Sequence, residues 1–336
     1  MEIFTRLAQT LHETDTALTN LMIFGLIGAQ PAANEALRRV FGGIDFPVTW
    51  VEGIAHDHHP IAGVQAFAFS AGQVNPVRIN GRVVGCIFDD DGLRHCLLGG
   101  LGPRSLTASR PDQLWQTLDD LVAALDRAGF SPGDIVRTWY YIDDLLAWYP
   151  DFNRVRTRAY ARIQFRTGSL PASTGISARN PDGAALVAGA WAVQPLDSCA
   201  KIAEIPSPLQ CPAPAYGSSF SRAMEISSRQ GRRLLISGTA SIAPEGQTVW
   251  PGNVGPQIDL TMEVVEAILT SRGLAFSDIV RATAYFKERV DIQKFHEWCD
   301  RYRLPALPVI AAQCGICRDD LLFEIEADAW KATSTI

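Results

Sequence analysis

The sequence predicts an α+β fold in which one unit is built twice: a mixed β-sheet with two helices over one face, behind an N-terminal extension. Two observations predict it. One is an internal repeat, in which Ser131-Pro-Gly-Asp-Ile-Val-Arg-Thr-Trp-Tyr-Tyr141 matches Phe276-Ser-Asp-Ile-Val-Arg-Ala-Thr-Ala-Tyr285 through a shared Asp-Ile-Val-Arg, 144 residues apart. The other is the same order of patterns around both matches. An amphipathic helix (114–128, 260–272) ends in Gly129 or Gly273, and a second helix begins near Phe152 or Phe295. Leu170-Pro171 and Leu307-Pro308 follow, then Gly175-Ile176 and Gly315-Ile316, then a strand closing in Trp191 or Trp330. Each copy reads strand, strand, helix, strand, helix, strand.

Taken in order, residues 1–80 form the extension, with a short helix over 35–41 and a strand over 62–71. The first repeat domain spans 81–205. It opens on a hairpin, 83–89 with 95–100, across the turn Asp89-Asp-Asp-Gly92. Residues 206–214, rich in proline, read as the connector between domains, and 215–336 as the second repeat domain. There the apolar run 234–243 passes into the small residues Gly238, Thr239 and Ala240, where a ligand can approach the backbone closely.

Composition excludes several classes. At 336 residues, 47% hydrophobic and 20% charged, the chain has ample material for two globular cores. A net charge of −6 argues against a nucleic-acid partner. No apolar run approaches the ~20 residues that span a bilayer, so no membrane partner is expected. The start Met-Glu-Ile-Phe-Thr-Arg lacks a basic segment followed by an apolar one, so a cytoplasmic protein is expected. Seven cysteines without framework spacing read as reduced thiols, and Cys314-Gly-Ile-Cys317 has no second pair for structural zinc. His56, His58 and His59 beside Pro60 read as a solvated loop, so no metal is expected.

The closing strand carries the strongest signal for chemistry. From Leu321 to Trp330 apolar and acidic residues alternate. Leu321, Phe323, Ile325, Ala327 and Ala329 make a purely apolar face, and Glu324, Glu326 and Asp328 stand in line on the other. Three carboxylates in a row repel unless solvated, paired or used. Counting six residues back from each Trp sets Ala185 opposite Glu324, so the fold itself does not demand this carboxylate. In the first repeat, Arg154, Arg158 and Arg162 recur every four residues along the helix from Phe152, a basic row suited to an anion. Tyr149 just before it can add a phenolic hydrogen bond. At the domain junction, Ala215-Tyr-Gly-Ser-Ser-Phe-Ser-Arg222 supplies Tyr216 and small polar groups where pockets commonly form.

Ser237-Gly-Thr-Ala-Ser-Ile242, Asp278-Ile-Val-Arg-Ala-Thr-Ala-Tyr285 and Phe323-Glu-Ile-Glu-Ala327 together resemble the RidA/YjgF family, with its chorismate-mutase-like sheet. Pro171-Ala-Ser-Thr-Gly-Ile176 looks like part of a divergent second copy. Two copies, an N-terminal extension and an Arg-rich helix together resemble the chorismatases, which release pyruvate from chorismate. The Arg that RidA proteins carry after the second helix is missing from 307–312, which tells against a simple imine hydrolase. The resemblance implies Glu324 as the proton donor and Tyr149, Arg162 and Tyr216, with Arg154, as carboxylate ligands. Gly238, Thr239 and Ala240 would line the pocket. Cys317 matches the benzoate-forming type, and Ala240 the hydrolytic type. That mixture is similar to the group making both 3- and 4-hydroxybenzoate. The resemblance further implies chorismate as partner, no cofactor, and a monomer or homotrimer. A hydrolytic chorismatase giving the diene diol, an imine hydrolase and a non-catalytic binding module stand as alternatives.

Overall fold

The computed structural model describes residues 2–70, 72–304 and 306–333. The N-terminal region is a folded unit, α1 (Glu2–Glu13), β1 (Ala17–Gly25), α2 (Gln30–Phe41), β2 (Val48–Glu52) and β3 (Ile61–Phe69). β1 lies between parallel β2 and antiparallel β3. It is central because it is buried on both faces from Leu18 onward. Leu21 and Ile23 pack with Phe4 and Leu37 of the helices, while Met22 and Phe24 point the other way. The extension is therefore richer than the one helix and one strand expected. Residue 71, the expected end of that strand, lies outside the described residues.

The first repeat comprises β4 (Asn75–Ile79), β5 (Arg82–Asp90), β6 (Leu93–Leu101), α3 (Arg110–Arg127), β7 (Ile135–Ile142), α4 (Leu145–Tyr160), β8 (Ala172–Ser177) and β9 (Leu186–Pro195). The second comprises β10 (Lys201–Ile205), β11 (Ala223–Ser227), β12 (Gly231–Ala240), α5 (Val254–Ser271), β13 (Ile279–Phe286), α6 (Ile292–Arg301), β14 (Val309–Gln313) and β15 (Phe323–Ala332). The sheets run β4-β5-β6-β9-β7-β8 and β10-β11-β12-β15-β13-β14, the same order twice. In each, the second helix crosses between parallel neighbours and the other pairings are antiparallel. The expected hairpin is β5–β6.

Each sheet has two more strands than expected, β4 and β8 in the first and β10 and β14 in the second, and the first of each pair moves a boundary. β4 starts at Asn75 and pairs with β5, so the first sheet begins before residue 81. β10 pairs with β11, so the proline-rich 206–214 joins two strands of the second sheet instead of linking domains. The last residues of the second domain, 334–336, lie outside the described residues.

Local chemistry explains the shared Asp-Ile-Val-Arg. Asp134 accepts a hydrogen bond from Ser131 N at 2.9 Å and Asp278 from Ala275 N at 2.8 Å, each closing the turn that feeds the strand. Ile135 and Ile279 enter the helix-side cores, and Arg137 and Arg281 point to the interior. Gly129 and Gly273, at φ 75° and 67°, end α3 and α5 in the left-handed conformation.

The sheet faces turned away from the helices meet in a central core. Met22, Phe24 and Val51 come from the N-terminal sheet, Trp139 and Tyr141 from the first repeat, and Leu235 and Tyr285 from the second. The Phe24 ring lies 5.8 Å from that of Tyr141 and 6.1 Å from that of Tyr285. Among the described residues no helix is long and apolar enough to cross a membrane.

Candidate active site

The closing strand β15 sorts its two faces as its alternation requires. Leu321, Phe323, Ile325, Ala327 and Ala329 are fully buried. The acidic face is buried too, with Glu324 4% exposed and Glu326 and Asp328 0%, so the row of carboxylates is not a solvated edge. Strand register corrects the count from the tryptophans. Tyr285 pairs with Glu324 as Tyr141 pairs with Val187, so Val187, not Ala185, stands at the position of Glu324. The slip is two residues, which preserves the face, and an acid in only one copy survives the correction.

Glu326 and Asp328 are neutralised by the repeat arginines. Arg137 donates to Glu326 and to Thr174 Oγ1, and Arg281 bridges Glu326 Oε1 (2.8 Å) and Asp328 Oδ2 (2.8 Å). Burial alone would raise the Glu326 pKa, but the guanidiniums of Arg281 and Arg137 outweigh it and hold the group at about 2. Glu324 makes no hydrogen bond or ion pair with another described residue. Burial, then the neighbouring Glu326 charge, push its pKa up to about 8, so it carries a proton at neutral pH.

Glu324 faces a cavity of about 340 Å³ between the two repeats. Its floor owes its shape to a β-bulge in β12. Ile236 pairs with Ala327, yet Thr239 pairs with Ile325, so one extra residue is inserted at Ser237-Gly238. Gly238 therefore sits under Glu324, where a Cβ would overlap Glu324 Oε1, and Ala240 faces the cavity beside it. Thr239 shares the face of Ile325 and does not line the cavity; its hydroxyl donates to Ser237 O at 2.9 Å. That corrects the expectation for Thr239.

The wall opposite comes from α4. Trp148 (φ −145°, ψ 18°) and Pro150 kink this helix, and the turns that follow point Tyr149, Asn153 and Arg156 into the cavity. Arg154 and Arg162 lie elsewhere. Arg154 pairs with Asp151 at 2.6 Å and is 60% exposed, while exposed Arg162 packs over Trp115 at 5.3 Å. The basic row follows one side of the helix, whereas Arg156 belongs to the inward side with Phe152 and Val155. Arg156 was missed because only the period-four row was counted, and the apolar residues one turn before it mark the correct side.

Two more cations close the cavity from the second repeat. Arg222 donates to Cys211 O through Nε (3.0 Å) and Nη2 (2.9 Å), and Arg318 donates to Gly246 O at 2.8 Å. Both guanidiniums lie 5.4 Å from the ring of Tyr216 and hold it at the rim. None of Arg156, Arg222 and Arg318 forms an ion pair among the described residues, and Arg156 Nε is buried without a hydrogen-bond partner. The site thus holds three unpaired positive charges and one neutral acid, the complement of a small dianion. The signal that marks Arg222 is its place at the end of the junction segment beginning at Ala215; Arg318 is marked by the adjacent Cys317.

Cys317 lies in the same cavity against Tyr149, and burial, then the proximity of Glu324, push its thiol up to about 12. A neutral thiol shapes the wall and is a poor nucleophile. His56, His58 and His59 are exposed and do not line this cavity, and His58 lies against Arg289.

Comparisons with known proteins place the fold. The family described as endoribonuclease L-PSP matches residues 212–331, the second repeat. A 3-hydroxybenzoate synthase of Streptomyces hygroscopicus is 26% identical over 231 residues, covering 60% of this chain and 64% of that protein. A chorismatase of the same organism is 25% identical over 215 residues, covering 57% and 60%. The matched part of the chain thus spans under two thirds of the length of these two relatives. A RutC family protein of Pyrococcus abyssi is 28% identical over 120 residues, 35% of this chain and 91% of that one. A crystal structure of a chorismatase superposes on 93% of this chain and 92% of its own, with a TM-score of 0.68 and 21% identity. The α+β architecture with two RidA-like sheets is thereby matched along nearly the whole chain, and through its second repeat, where a RutC family protein of Pyrococcus horikoshii is 30% identical over 104 residues and 82% of its length, the chain belongs to the RutC family.

Proposed function

We propose that the protein converts chorismate to pyruvate and hydroxybenzoate, with Glu324 as the acid. The observation that carries this reading is a buried, unpaired carboxyl group sharing one cavity with three guanidiniums that form no ion pair among the described residues. Chorismate has two carboxylates and an enolpyruvyl ether. Arg156, Arg222 and Arg318 are suited to its carboxylates, with Tyr149 and Tyr216 as further donors. Glu324 then delivers its proton to the enolpyruvyl methylene, and an oxocarbenium-like centre develops at the ether carbon. Attack there by a ring hydroxyl, loss of pyruvate and aromatisation give hydroxybenzoate with no net change in water or oxidation state. Attack by water gives the diene diol and pyruvate instead.

The names of the two Streptomyces relatives support the same substrate. Cys317 and Ala240 both line the cavity where the ring would lie and are the residues that should decide between the two outcomes. Incubation with chorismate, followed by chromatography of pyruvate and aromatic acids, tests the reading. Equimolar pyruvate and hydroxybenzoate are expected. Pyruvate without an aromatic product would replace the benzoate-forming reading with the hydrolytic one, and no turnover would overturn both.

A further inference from the structure

The three sheets leave a second, larger cavity, about 620 Å³, that shares no lining residue with the first. It is reached four residues further along β15, at Asp328, roughly 13 Å from Glu324 at the rise of a strand. β3, the β5–β6 hairpin and the start of β12 complete its walls.

Arg233 is the unusual group in it. Its guanidinium lies 5.5 Å from the ring of Trp191 and makes no hydrogen bond or ion pair among the described residues. The neighbouring Arg281 contrasts with it, being saturated by Glu326, Asp328 and Gln65. Burial lowers the pKa of Arg233 from its usual value, outweighing the opposing pull of Asp328 and Asp90, neither of which forms an ion pair with it. Asp90 and Asp91, at the tip of the β5–β6 hairpin, line the same space. Asp90 likewise makes no side-chain hydrogen bond or ion pair among the described residues. A guanidinium and a carboxylate that face one space without touching suit a ligand bearing both charges on adjacent atoms.

Polar residues such as Thr19, Gln65, Ser228 and Gln230 also line it, and one part of the lining is aromatic. Phe69, Phe88 and His95 form a continuous stack, with centroids 5.0 Å and 4.9 Å apart. His95 Nδ1 accepts from Trp191 Nε1 at 3.1 Å, and burial, then Arg233, push its pKa down to about 3, so it adds no charge. This aromatic part of the wall therefore shares the cavity with Arg233 and with Asp90 and Asp91.

We propose that this cavity binds an aromatic α-amino acid, with the carboxylate on Arg233, the ammonium on Asp90 and Asp91, and the ring against the Phe69–Phe88–His95 stack. Titration calorimetry of the full chain carrying Glu324→Gln, with L-phenylalanine and L-tryptophan, tests it apart from any turnover at the first site. Binding at one site per chain is expected, at least about tenfold tighter than 3-phenylpropanoate or phenethylamine, which each lack one charge. Arg233→Gln and, independently, Asp90→Asn on the exposed hairpin tip should each weaken it by about tenfold or more. Three results would overturn the proposal: no binding of either amino acid at millimolar concentration, equal binding of 3-phenylpropanoate, or affinity unchanged in both variants while their circular dichroism matches the parent.

Discussion

Glu324 and Glu326 stand two residues apart on one strand face, yet their pKa values are driven to about 8 and about 2. The difference lies in their partners, since both are buried and only Glu326 touches arginine. Two consequences can be measured. Glu324→Gln should lower the rate of pyruvate release from chorismate by at least about a hundredfold, the usual weight of a positioned acid. It should also stabilise the protein. A carboxyl whose folded pKa is raised binds more protons folded than unfolded, so stability falls as pH rises from about 4.5 to about 8. Removing the group restores up to about 3 kcal/mol at pH 7, seen as a higher melting temperature at pH 7 than at pH 4 relative to the parent. Gly238→Ala should cost activity as well, because the added methyl overlaps the Glu324 carboxyl.

Alternation in the sequence identified Glu324, and it survives a miscounted register because a slip of two residues keeps the face. The arginines were less legible. A row of Arg at every fourth position marks a helix face, but only the buried apolar residues Phe152 and Val155 say which face turns inward. At the scale of the element, α4 gives a direct contrast. Arg156→Ala should raise the KM for chorismate by about tenfold or more, as loss of a charged hydrogen bond would. Arg162→Ala, two residues beyond the end of the helix, should leave it unchanged. Of the strands missed from the sequence, β4 and β10 have a common cause. Each is a five-residue edge strand with one buried side chain, Val77 and Ile205, too little for a period of two to register. The hairpin β5–β6 and the helices α3 and α5 were legible because turn residues and capping glycines bound long apolar patterns.

At the scale of the molecule, three sheets share one core, and the N-terminal unit supplies its third wall. That role was illegible in the sequence because β1 is a continuous apolar strand buried on both faces, with none of the repeat's spacing to announce it. Phe24 is its most exacting residue, wedged between Tyr141 and Tyr285. Phe24→Ala should cost about 3–5 kcal/mol in denaturant unfolding. The same three-sheet packing sets the two repeats against each other, with Ser177 and Gly315 exchanging backbone hydrogen bonds at 2.9 Å beside the cavity. The acid comes from one repeat and part of the cation set from the other, so the site exists only when both are docked.

The pH dependence of kcat for pyruvate release tests the role of Glu324 most directly. A neutral carboxyl group that must donate its proton gives a rate that is level through neutral pH and falls about tenfold per unit above an apparent pKa of about 8, a limb that disappears in Glu324→Gln. A rate that stays level to pH 10, or climbs through pH 8, would mean that Glu324 is not the acid.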